Sequence, residues 1–102
     1  MADWQLTPRA EQDLADIWLY TRQRWSPAQA DRYVSALFDA MDALAAAPAR
    51  GRSAETIRPG YRRQASGRHV IFYRPGGSGI EIIRILHQRM DMPGQMEGEQ
   101  DR

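Results

Sequence analysis

An α+β domain with the chain order β-α-α-β-β-β is predicted by three features of the sequence. Up to Pro48 the apolar residues recur at helical spacing, after residue 55 they recur at spacing two, and proline or glycine marks each change of pattern. The expected architecture is an antiparallel-rich, four-stranded sheet with an αα-hairpin packed on one face and no element left to cover the other. The 102 residues leave room for one domain. It is expected over residues 1–93, with the polar, glycine-containing stretch 94–102 as a flexible tail.

Each element has a local reason. Asp3-Trp4-Gln5-Leu6 alternates polar and apolar residues, as a short half-buried strand does. Thr7-Pro8 combines an N-cap with a proline at the first helical position, where its missing N–H costs nothing. Ala10, Leu14, Ile17, Trp18 and Thr21 then repeat on one helical face, with Glu11, Asp13 and Asp16 toward water and the positive helix end. Ser26-Pro27 repeats the same start signal. The second helix carries Ala30, Val34, Leu37, Met41 and Leu44 in alternating steps of four and three, widened by Tyr33, Phe38 and Ala45. Almost no linker separates the two, so they pair as an antiparallel hairpin, and Pro48 and Gly51 end the helical half.

Residues 61–65 and 68–74 flank Ser66-Gly67, a hairpin signal, and Pro75-Gly76-Gly77-Ser78-Gly79 is a second turn. The run from Ile80 to His87 carries apolar residues on both parities, which marks a central strand covered on both faces for part of its length. A last turn is expected over Gln88 to Met92.

Composition narrows the function classes. The chain has no cysteine, which removes disulfides, Cys-based zinc sites and thiol nucleophiles, and fits a reducing cytoplasm. The N-terminus lacks a basic flank followed by an apolar run, and no stretch approaches the roughly 18 apolar residues of a membrane span, so a soluble cytoplasmic protein with no membrane contact is expected. The net charge of +1 conceals a strong polarity. Residues 1–49 hold four Arg against seven acidic residues, residues 50–89 hold nine Arg against Glu55 and Glu81, and residues 90–102 hold Arg102 against four acids. All fourteen basic residues are Arg. Such a chain is expected to present a basic face to an acidic partner.

No serine stands in a Gly-x-Ser-x-Gly setting, and Ser26 and Ser66 are explained as cap and turn residues. His69 and His87 lack metal-ligand spacing, so no metal is expected. The glycines of 75–79 are followed by neither Lys nor a helix start, which makes them a turn and not a phosphate cradle. Metal-free RNA cleavage needs a base, an acid and cations, and Arg62, Arg63, Arg84, His69, His87 and Tyr73 are of the types that supply them. The same residues equally suit solvated strand faces or a partner's carboxylates.

Gly60-Tyr61-Arg62-Arg63, Ser66-Gly67 and His69-Val70-Ile71-Phe72-Tyr73-Arg74 together resemble the central hairpin of the RelE/ParE toxin superfamily. Residues 81–88 followed by Met90-Asp91 resemble the last strand of its ParE branch, of plasmid-stabilisation toxins. Leu6-Thr7, Asp13-Leu14, Tyr20, Trp25, Tyr33 and Gly51-Arg52 are similar to the first half of that pattern, so the resemblance spans about residues 4–91. It implies a non-enzymatic toxin of a type II toxin–antitoxin system that needs no cofactor and inhibits DNA gyrase, blocking replication. The partners implied are gyrase and a ParD-like antitoxin, with operator DNA touched only through that antitoxin. An acidic antitoxin arm is expected on Arg62, Arg63, Arg74 and Arg84, since guanidinium–carboxylate pairs can be bidentate, with Tyr73 and Trp25 as aromatic anchors. Both aromatics have a packing alternative, Trp25 in the helix hairpin and Tyr73 in the core. By analogy with the family, His87, Arg89, Met90 and Asp91 are expected to meet the target. The alternative is the RelE branch, a ribosome-dependent mRNA endonuclease, in which His87 would be the acid–base group beside Arg84 and Arg63.

Overall fold

The computed structural model describes residues 3–90. Strand β1 (Asp3–Leu6) leads through Thr7 into helix α1 (Pro8–Arg24), and helix α2 (Pro27–Ala46) follows after two residues. A 3-10 turn (Pro48–Arg50) leads to β2 (Arg52–Ser53), β3 (Arg62–Ser66), β4 (His69–Gly76) and β5 (Gly79–His87). Both expected caps form: Thr7 Oγ1 accepts from the Ala10 amide and Ser26 Oγ from the Gln29 amide, each ahead of a first-turn proline.

The sheet has five strands in the order β1-β5-β4-β3-β2, with β1 parallel to β5 and every other pair antiparallel. The class is the expected one, but the count is five and not four. The added strand is the two-residue β2, which carries no alternation long enough to read. Both hairpins turn on a glycine with positive φ, Gly67 at 59° and Gly77 at 56°, as two-residue turns require.

Leu14, Ile17, Leu37, Met41 and Leu44 of the helices pack on Ile71, Tyr73, Ile80, Ile82 and Ile85 of the sheet. The opposite face is not bare, contrary to expectation. The loop between β2 and β3 folds over it, and Ala54, Tyr61 and the half-buried Ile57 close on Phe72, Ile83 and Leu86. Strand β5 therefore feeds both cores, as the apolar residues on both of its parities predicted. A register shift between Phe72, opposite Arg84, and Tyr73, opposite Ile82, marks a β-bulge in β5 at Ile83.

Strand β1 pairs only with residues 79–82, so the flank of β5 beyond Ile82 needs other partners for its backbone. Helix α1 supplies them. The Thr7 amide donates to Ile82 O at 3.1 Å, and Thr7 Oγ1 donates to Ile83 O at 2.8 Å. The Asp13 carboxylate accepts from the Ile85 amide at 2.9 Å. That carboxylate also accepts from Arg84 Nε at 2.8 Å and Nη2 at 2.9 Å, a bidentate pair almost shut off from solvent.

Candidate functional site

The residues singled out by sequence do not form one surface. Arg62 and Arg63 are adjacent in a strand, so they face opposite sides of the sheet. Arg62 pairs with Tyr73, on the helix side, and its Nη1 donates to Gly51 O at 2.6 Å, so it fastens the segment before β2. Arg63 pairs with Phe72, on the far side, and is exposed. Arg74 is exposed but bound to its cross-strand neighbour Glu81, with Nη2 to Oε1 at 2.8 Å.

Two expectations are corrected by burial. Arg84, expected on the basic face, is 6% exposed and bound to Asp13. Tyr73, expected as a partner's anchor, is wholly buried, and its hydroxyl accepts from the Gly51 amide at 2.9 Å and donates to Pro48 O at 2.7 Å. Trp25 goes the other way. At 71% exposed it does not clamp the helix hairpin, and it stands with Tyr20 and Leu19 among the exposed large apolar residues at the end of α1.

The far face keeps a shallow groove lined by Arg52, Arg63, Gln64, Ala65 and Val70. Arg52 lies directly opposite Arg63 in the β2–β3 ladder, an arrangement in which two guanidinium groups repel. Neither side chain has a hydrogen-bonding or ionic partner among the described residues. Sequence reading missed Arg52 because its strand is too short to show a register.

The helix side carries a second cluster at the open end of β4 and β5. His69 and His87 are cross-strand partners with ring centroids 5.4 Å apart, edge to face. Tyr33 of α2 completes it: its hydroxyl accepts from the Arg68 amide at 3.0 Å and lies 2.6 Å from His69 Nδ1. The short contact ties the His69 ring to the hydroxyl of α2. A Cβ at Gly67 would meet the Tyr33 hydroxyl at 2.7 Å, so glycine at the turn permits this docking. His87 Nδ1 accepts from the Arg89 amide at 3.1 Å.

Burial of the ring, then the neighbouring His87, push the His69 imidazolium down to about 4, against an opposing pull from Asp13. A histidine depressed in the folded state binds its proton more readily when unfolded. Its contribution to stability is whole above about pH 6.5 and is lost as pH falls toward 4. Partial exposure of the ring screens this to roughly 1–2 kcal/mol. NMR titration is expected to place the His69 midpoint near 4 and His87→Gln to raise it, with melting temperatures falling between pH 6.5 and 4. A midpoint at the ordinary value would refute the buried, neutral assignment.

The three residues of the nuclease alternative do not converge. Arg84 is locked to Asp13, Arg63 faces away from the helices, and β4 separates His87 from Arg63. Among the described residues no group of three or more acidic or His side chains is placed to hold a metal ion. No described helix is long and apolar enough to cross a membrane.

Residues 5–92 match the family model described as ParE toxin of type II toxin-antitoxin system, parDE. The chain belongs to the ParE toxin family. Its relatives include Toxin ParE1 of Mycobacterium tuberculosis, 47% identical over 88 residues that cover 85% of this chain and 90% of that protein. Toxin ParE1 of Caulobacter vibrioides is 47% identical over 91 residues, 89% of this chain and 94% of its own. Toxin ParE of Escherichia coli is 34% identical over 93 residues, 90% of each chain. A solved structure described as the chromosomal ParDE TA system from P. aeruginosa shares the fold, with a TM-score of 0.72 at 22% identity over 85% of this chain and 96% of that one. This ParE toxin is thus matched along both helices and the sheet, the part that carries Arg63, Trp25 and the histidine pair.

Proposed function

We propose that this toxin is held inactive by a ParD-like antitoxin and, when released, inhibits DNA gyrase without making or breaking bonds itself. The reading rests first on family membership across residues 5–92. The separation of Arg84, Arg63 and His87 favours it over ribosome-dependent mRNA cleavage, which needs acid, base and cation around one phosphate. For the antitoxin, exposed Arg63 and Trp25 are the strongest of the expected contacts, with Arg74 available once Glu81 releases it. An acidic amphipathic arm would set carboxylates on the guanidinium groups and apolar side chains beside the indole.

For the target, His87, Arg89 and Met90 come together at the end of β5, while Asp91, assigned with them, and the tail 94–102 lie outside the described residues. Operator DNA is reached through the antitoxin, the cytoplasm is the place of action, and no cofactor takes part. The purified toxin is expected to abolish gyrase supercoiling at low micromolar concentration and to leave translated mRNA intact. Intact supercoiling together with cleaved message would reverse the assignment.

A further inference from the structure

Three arginines of the sheet are matched inside the chain: Arg62 on the Gly51 carbonyl, Arg74 on Glu81 and Arg84 on Asp13. Arg52 and Arg63 are not. Both are exposed, they face each other across the β2–β3 ladder, and neither has a partner among the described residues. Two facing guanidinium groups repel when empty and are reconciled by a carboxylate between them. Beside them, the cross-strand pair of Ala65 and half-buried Val70 floors the rest of the groove. The strand edge there is open as well, because β2 meets β3 only at Arg62 and Arg63. The Ala54 amide donates to Tyr61 O, so by the alternation of an antiparallel ladder Arg52 with Arg63 is the next bonded pair. Ala65 is then the next residue whose amide points off the edge, beyond the end of β2, while its carbonyl accepts from the Gln64 side chain at 3.2 Å.

We propose that this groove takes an extended segment of an acidic partner, carrying one carboxylate and, two residues away, one aliphatic side chain. The spacing follows from β3. Arg63 and Ala65 lie on one face of the strand, two residues and roughly 6.8 Å apart, which is also the repeat of an extended peptide laid alongside. The carboxylate then bridges Arg52 and Arg63, the aliphatic group covers Ala65 and Val70, and a peptide carbonyl accepts from the Ala65 amide. A nucleic-acid backbone satisfies only the first of these contacts, since it brings anions but no aliphatic side chain. The partner is the antitoxin arm of the reading above, on which this assignment rests. The arm is thereby given a local sequence of acid, any residue, aliphatic.

The test titrates the full chain with a short capped peptide centred on Glu-Thr-Leu. Its scramble, centred on Glu-Leu-Thr, puts the acid and the leucine on opposite faces of an extended chain. The Ala65 amide, the Arg52 and Arg63 Nε–H groups and the Val70 methyls are followed by NMR, with Leu37 in the helix core as control. The first peptide is expected to shift all the groove signals and leave Leu37 in place, and the scramble to bind about tenfold more weakly. Arg52→Ala and Arg63→Ala are each expected to weaken the first peptide by about tenfold, as losing one charge-assisted contact does. Equal binding of the two peptides, or a groove silent to both, would overturn the proposal. So would the same shifts on adding a short DNA duplex, or on concentrating the toxin alone, which would seat a second copy there. A ParD-like antitoxin that binds the parent and the doubly substituted toxin equally well refutes the groove and leaves the antitoxin reading standing. One that binds neither refutes that reading itself.

Discussion

Asp13→Ala is expected to lower stability by about 3–5 kcal/mol, the usual cost of stripping one partner from a buried ion pair. The loss has two parts. The Arg84 guanidinium stays in a site where it is 6% exposed, without the carboxylate that offsets its desolvation. The Ile85 amide also loses its acceptor on the flank of β5 that β1 leaves open. Urea denaturation should show a lower midpoint at unchanged slope. Replacing both residues together, as Asp13→Leu with Arg84→Met, is expected to cost less than Asp13→Ala alone, because no charge is then left buried. If Asp13→Ala costs under about 1 kcal/mol, the pair behaves as a solvated surface bridge and the account of this edge fails.

Tyr73→Ala is expected to cost a further 3–5 kcal/mol class of loss at an independent place. Its ring is wholly buried against the helices, and its hydroxyl holds the Gly51 amide and Pro48 O together at the exit of α2. Tyr73→Phe separates the two contributions. It keeps the ring and leaves two backbone groups without a partner, for roughly 1–3 kcal/mol. Gly51 belongs to the same device, since a Cβ there would collide with the hydroxyl. Equilibrium unfolding of both variants tests this. A Tyr73→Phe protein as stable as the parent would mean that water replaces the hydroxyl.

The parts legible in the sequence were those fixed by local rules. Thr7-Pro8 and Ser26-Pro27 announce helix starts through chemistry confined to three or four residues, and both caps form as read. The α2 stripe and the double-sided run of β5 are legible because burial imposes a period on them. The cover over the second face was not legible. Ala54, Ile57 and Tyr61 sit on an irregular loop, whose contacts follow no period. The fate of the arginines was hidden for a different reason. Whether a guanidinium faces solvent or a buried carboxylate depends on pairings such as Arg84 with Asp13, 71 residues away, which no local pattern shows. Burial therefore changes which of the expected side chains are accessible. The candidate surface gains Arg52, keeps Arg63 and Trp25, and loses Arg84 and Tyr73 to the interior.

The parallel seat of β1 beside β5 also constrains when the molecule can exist during its synthesis. The backbone of the N-terminal strand and the acid on α1 find their sheet partners in residues 79–85, so a ribosome releases them long before that strand exists. Until then the nascent chain lacks the middle of its sheet, and closing so distant a pair is a slow step. A chain that stops short of residue 85 thus has nothing to seat its first strand or to receive the Asp13 carboxylate.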